Sequence, residues 1–217
     1  MRLIHAAAIA LLSTTAVAAH DPAQHQATPP GTPDVSAISG GHYEADPAHT
    51  LVVWTLDHMG ISPYTGIFGD VTGMLMFDPK NPSAASVDVT IPIAKVVTAS
   101  QGLTDHLLRA GKDGAEPDFF GADPGNARFV STDVKVDRQS ATITGNLTLN
   151  GITKPVTLNA RFYGAGQLPE QMGGGEALGF SGTGSIKRSD FGLGYGIPMV
   201  GDNVDLQIEA AFMKKAG

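Results

Sequence analysis

Seven histidines and 21 carboxylates are the groups with which this chain could do acid–base or metal chemistry, and it contains no cysteine. Thiolate catalysis, thiolate zinc sites and iron–sulfur clusters are therefore excluded. Two neighbouring pairs stand out, Asp57-His58 and Asp105-His106. Neighbours along a strand point to opposite faces, so adjacency of this kind does not make a relay. His49 and His58 have opposite parity, and one strand would not present both to a metal. His20, His25 and His42 are spaced irregularly in or beside a proline-rich stretch and read as solvated. No Gly-x-Ser-x-Gly elbow or His-Glu-x-x-His pair occurs, and Gly192-Leu-Gly194-Tyr-Gly196 does not open a helix as a dinucleotide loop would. A catalytic set and a metal site are thus not expected. The alternative is a hydrolase or isomerase, in which His58 or His106 would have to meet a carboxylate across strands inside a cavity.

The most pointed basic group is Arg188-Ser-Asp190-Phe191-Gly192, an arginine at a strand end followed by acid, aromatic and glycine. It admits two readings. Arg188 could sit over an anionic head group at the rim of a barrel, or pair internally with Asp190 or Asp202 and pin the last loop.

What must position these groups is a succession of strands. Residues 50–58 alternate, with Val52, Trp54, Leu56 and His58 on one face and Leu51, Val53, Thr55 and Asp57 on the other. A linker over 60–66 with two glycines and a proline leads to a second run over 67–77, and both faces of this pair are fairly apolar. Further runs are predicted at 84–97, where Pro92 marks an edge or bulge, and at 128–136, 141–149, 156–162, 178–186 and 204–212. Asn150-Gly151 signals a hairpin whose turn is expected to extend through Lys154-Pro155. Residues 98–120 break the alternation. Leu103, His106, Leu107 and Ala110 have helical spacing, so 104–110 is predicted as a short helix, and Phe119-Phe120 are expected under the domain or in its open end. The fold class predicted is all-β: an eight-stranded antiparallel barrel with one short helix in a long loop. A two-sheet sandwich fits the count nearly as well. At eight strands the interior either just fills with side chains or leaves room for one ligand.

The first part of the chain is set apart. Arg2, the apolar run over 3–12 and the small residues Ala16-Val17-Ala18-Ala19 have the layout of a cleaved secretory signal peptide over 1–19. Residues 20–41 are rich in proline and alanine, end in two glycines, and read as a solvated tether to a domain over 42–215. Losing the leader removes Arg2 and no acid, which leaves 13 basic against 21 acidic residues and a charge of −8 in place of −7. That balance, with no basic cluster, argues against nucleic acid as a partner. No other run is long enough for a membrane span, and a homodimer stays open.

Several scattered motifs together resemble one family. Tyr43-Glu-Ala-Asp46-Pro-Ala-His49-Thr50, Gly66-Ile-Phe68, Phe77-Asp78, Asp105-His106-Leu107, Asp118-Phe119-Phe120, Phe129-Val-Ser131-Thr132, Gly145-Asn-Leu-Thr148-Leu-Asn-Gly151-Ile-Thr-Lys154-Pro155 and Arg188-Ser-Asp190-Phe191-Gly192 fall in the order and spacing of the YceI-like proteins. Thr50 stands where relatives often have serine, and the segment from His106 to Phe129 is longer than in relatives. The resemblance implies a periplasmic, lipocalin-like barrel whose apolar interior holds an isoprenoid lipid, such as a polyprenyl phosphate or a quinone. It supplies no catalytic set, and no cofactor is expected beyond such a bound lipid. Placed by strand position, the expected ligand-binding residues are Trp54, Leu56, His58, Leu75, Val89, Ile91, Leu107, Phe119, Phe120, Leu158, Phe162, Phe180, Arg188 and Phe191. Arg188, His58 and His106 are the candidates for the head group. A ligand-free, stress-related protein with a filled core would share the fold and differ in cavity volume.

Overall fold

The computed structural model describes residues 28–214, so the expected leader over 1–19 lies outside the described residues. Eleven strands are present: β1 (Gly41–Ala45), β2 (Leu51–His58), β3 (Ser62–Phe68), β4 (Thr72–Phe77), β5 (Ser86–Ile91), β6 (Val96–Thr98), β7 (Ala127–Asp137), β8 (Ser140–Leu149), β9 (Ile152–Gln167), β10 (Glu176–Lys187) and β11 (Val200–Lys214). They make eight staves. β1 and β2 both pair with β11, β4 pairs with β1 while β3 pairs with β2, and β5 pairs with β4 while β6 pairs with β3. Each of the first three staves is thus one strand broken in the middle. All pairings are antiparallel, and β1 on β11 closes the ring through Glu44↔Met213 and Ala45↔Phe212.

The breaks have local causes. Between β1 and β2, Asp46 accepts from the Ala48 amide, and the Thr50 hydroxyl both donates to Ala211 O and accepts from Ala211 N, so a side chain replaces the missing ladder. Between β3 and β4, Asp70 takes a left-handed φ of 54° and turns Val71 inward. Between β5 and β6, Pro92 opens a 3₁₀ turn that buries Ile93. The predicted interruption at Pro92 is therefore present.

Some boundaries differ from expectation. β3 begins at Ser62, because the β2–β3 turn needs only Met59 and Gly60 at positive φ and alternation resumes at once. The β8–β9 turn closes on Asn150-Gly151 alone, with Leu149 paired to Ile152, and β9 carries Lys154 and Pro155 within the strand. The helix α1 spans Gln101–Leu108, starting earlier than predicted because Ser100 caps it by accepting from the Leu103 amide.

The expected solvated tether over 20–41 is a strap from residue 30 onward. Thr32 exchanges two backbone hydrogen bonds of 2.9 Å with Ala165, and Ile38 is buried among Tyr43, Phe77 and Phe212. Its far end is tied by Glu176, which accepts from the Tyr43 hydroxyl at 2.5 Å and the Ser39 amide at 3.0 Å, while Lys214 donates to Gly40 O. Among the described residues, no helix is long and apolar enough to cross a membrane.

Burial pushes the Glu176 carboxyl up, but the Tyr43 and Ser39 hydrogen bonds and the Lys214 charge outweigh it, so it titrates below its ordinary value of 4.5. A depressed carboxylate stabilises fully above its unfolded value, and that stabilisation fades as pH falls through the folded value. Glu176→Gln is expected to lose about 1–3 kcal/mol in urea unfolding at neutral pH. The gap from the parent protein should shrink below pH 4.5.

Candidate ligand-binding cavity

The interior is not filled. A cavity of about 440 Å³ lies inside the barrel, and its wall is apolar except toward one end. It exists because inward positions carry small residues: Ala127 on β7, Ala141 on β8, Ala160 on β9, Gly182 on β10 and Ala210 on β11 all line it. Larger neighbours on the same parity, among them Phe129, Leu147, Val156, Ile186, Leu206 and Ile208, supply the rest of the wall.

The two ends of the hollow differ. One is plugged. Trp54, Val96, Leu107 and Val204 are buried together, with Leu56, Phe119 and Phe120 packed against them. Phe120 meets the cavity-lining Phe68 edge to face at 5.9 Å, and Phe191 with Leu193 closes the adjoining sector below the β10–β11 loop. The buried Trp54 indole lies against Gly66, where a Cβ would stand 2.2 Å from the ring, and its Nε1 has no hydrogen-bond partner. At the opposite end the lining becomes polar and exposed, with Asp34, Ser86, Arg138, Gln139 and Ser140 around the strap. That end is the mouth.

Of the residues singled out from the sequence, Leu75, Val89, Ile91, Leu158, Phe162 and Phe180 lie on the cavity wall. Trp54, Leu56, Leu107, Phe119, Phe120 and Phe191 do not; they belong to the plug. The parity of Trp54 and Leu56 is inward as written, but helix α1 and its following loop fill the space they face. His58 is exposed at the end of β2, remote from the wall. Among the wall residues that sequence reasoning passed over, Val52 shares parity with Trp54 and Leu56, and Leu206 and Ile208 lie on one face of the alternating run over 204–212, so strand periodicity could have found them. The strap contributors Pro33 and Val35 had no such signal.

Arg188 is a correction. It is 4% exposed and donates to Gly201 O at 2.8 Å, Val200 O at 2.7 Å and Leu193 O, so its guanidinium is spent on the backbone of the last loop. Neither a head group nor an ion pair with Asp190 is served. Asp202 instead accepts from the amide and hydroxyl of Ser189, both at 2.9 Å. Burial pulls the Arg188 pKa down, partly offset by the charge of Asp202.

His106 also lies off the cavity. Its Nε2 is 2.7 Å from Asp118 Oδ2, and Arg109 donates to the same oxygen at 2.6 Å. Arg109 foremost, and His106 after it, hold the Asp118 carboxyl below its usual range. The His106 ring stands edge-on to Phe119 at 5.2 Å and Tyr195 at 5.8 Å. This cluster joins the α1 loop to the β10–β11 loop beside the plug, and none of its side chains lines the cavity. Among the described residues, no three His, Asp or Glu side chains converge as a metal site would require.

Comparison with known proteins agrees with the geometry. Residues 43–212 match the YceI-like domain family. A UPF0312 protein of Pseudomonas paraeruginosa is 41% identical over 160 residues, covering 73% of this chain and 78% of that protein. The crystal structure of the Campylobacter jejuni YceI protein is 33% identical, with a TM-score of 0.60 over 74% of this chain and 90% of that one. A domain from Saccharophagus degradans, described as polyisoprenoid-binding and implicated in plant cell wall breakdown, is 13% identical and has a TM-score of 0.51 over 81% of this chain and 99% of that one. This last likeness is one of fold.

Removing the guanidinium would take a donor from three carbonyls, that of Leu193 buried and those of Val200 and Gly201 partly buried. Arg188→Met is therefore expected to destabilise by at least about 3 kcal/mol in chemical unfolding. A loss below about 1 kcal/mol would mean that water satisfies those carbonyls.

Proposed function

We propose that this chain, which belongs to the YceI-like family, is an exported binding protein that holds the isoprenoid tail of a lipid inside its barrel. The single observation that carries the reading is the apolar hollow of about 440 Å³, plugged at one end and polar at the other. A site of roughly 300–1,000 Å³ with few polar groups suits a small or elongated apolar ligand. Burying a hydrocarbon tail there gains about 25 cal/mol for each Å² removed from water, and needs no directional contact along the chain. A polar head group would remain at the mouth, among Ser86, Arg138 and Ser140. A polyprenyl phosphate or a quinone has that division into greasy tail and polar head. The polyisoprenoid-binding domain of Saccharophagus degradans, which shares the fold, supports the tail chemistry.

The role is storage or carriage, with no bond made or broken and no cofactor beyond the lipid itself. The leader-like residues 1–19 support export to the periplasm, where a lipid with a long apolar tail needs a protein to cross water.

Filling the hollow tests the reading. Ala160→Phe/Ala210→Phe places two rings on the wall of the cavity, and it is expected to weaken binding of the neutral apolar fluorophore N-phenyl-1-naphthylamine at least tenfold. Far-ultraviolet circular dichroism should be unchanged. Undiminished binding by a folded double variant would place the fluorophore elsewhere and overturn the proposal.

A further inference from the structure

We infer that residues 30–35 are the gate of the cavity, lifting from the edge of β9 to let the apolar ligand pass while residues 38–41 stay anchored. The inference rests on the binding role proposed above and adds how the ligand gains access.

The seat of the gate is built into β9. The β7–β8 hairpin stops pairing at Ser140↔Arg161, so beyond it one edge of β9 lacks a neighbouring strand of the ring. Thr32 occupies that edge with two 2.9 Å backbone bonds to Ala165. Two glycines make room for the strap. A Cβ on Gly166 would stand 2.1 Å from Pro30 O, and one on Gly164 would stand 3.2 Å from Thr32 O. From this seat the chain crosses the mouth, where Pro33, Asp34 and Val35 themselves line the cavity.

The two halves of the strap are held unequally. Residues 36–41 are fixed by the buried Ile38, by the Ser39 and Gly40 amides donating to Glu176 and the Tyr43 hydroxyl, and by Lys214. Residues 30–34 are exposed. Beyond the Thr32–Ala165 bridge, what holds the gate to the barrel among the described residues is one long hydrogen bond, Gln139 Nε2 to Pro33 O at 3.3 Å, and the partly buried Val35 at its hinge end, packed on the core. Few hydrogen bonds and no deeply buried side chain make such a segment the lowest-energy place for the shell to open. The other end offers no comparable seam, because it is sealed by the aromatic plug and by the three backbone bonds of Arg188.

The chain has no cysteine, so a pair of introduced thiols can report on the gate alone. Cross-strand partners that exchange both backbone bonds lie about 5.5 Å apart at Cα, within disulfide range. In Thr32→Cys/Ala165→Cys, oxidation is expected to slow release of N-phenyl-1-naphthylamine into phosphatidylcholine vesicles at least tenfold, and reduction to restore it. Gly166→Ala unseats the strap without touching the cavity wall, and should speed release at least tenfold. Equal release rates from the oxidised and reduced forms, or no acceleration in Gly166→Ala, would overturn the gate while leaving the binding role intact. Failure of the unmodified protein to take up the fluorophore would instead overturn the binding role, and the gate with it.

Discussion

An unfilled apolar interior is the condition on which everything else in this molecule turns. Eight antiparallel staves enclose a space that side chains can just fill, and here they fill it at one end only. The remaining hollow measures about 440 Å³. At about 24 cal/mol for each Å³ of apolar void, leaving it empty would forgo on the order of 10 kcal/mol of packing. That is comparable to the whole net stability of a domain, about 5–15 kcal/mol. The small inward residues of β7 to β11 therefore sacrifice packing, and an apolar occupant would recover part of what they give up.

The rest of the structure divides between tolerating the hollow and controlling it. The plug of Trp54, Leu107, Phe119 and Phe120 seals one end and Arg188 ties down the loop above it, while Phe77, Phe162, Phe180 and Phe212 pack edge to face toward the other. Ring closure at the other end is brief, two register pairs between β1 and β11. The knot of Tyr43, Ser39, Glu176 and Lys214 reinforces it there. The two rims add to the ladder of backbone bonds, and the wall between them keeps its hollow.

Much of this was legible in the residues. Period-two alternation predicted eight staves, and eight are present, because a strand interrupted by a turn still reads as one run of alternating side chains. Parity alone did not separate wall from plug. Trp54 and Leu158 both face inward, and what distinguishes them is the packing of α1 over one and not the other, a contact between residues far apart in the chain. The apolar outer face of the first staves, where Ile67, Met74, Met76 and Val97 are exposed, removed the contrast that would have marked inside from outside. Arg188 misled because its neighbours in sequence are acids, whereas its partners in space are carbonyls that no composition reveals. The strap misled for the opposite reason: proline and glycine there describe a chain laid along a sheet edge as well as one in solvent. Val35 and Ile38 were its apolar clues.

The most direct measurement is native mass spectrometry of the protein purified from its own host, followed by solvent extraction of whatever it carries. The expected result is a non-covalent complex whose extracted component is a lipid with a tail of whole isoprene units. Protein that emerges bare from its host, with a solved structure in which side chains meet across the hollow, would contradict the central claim.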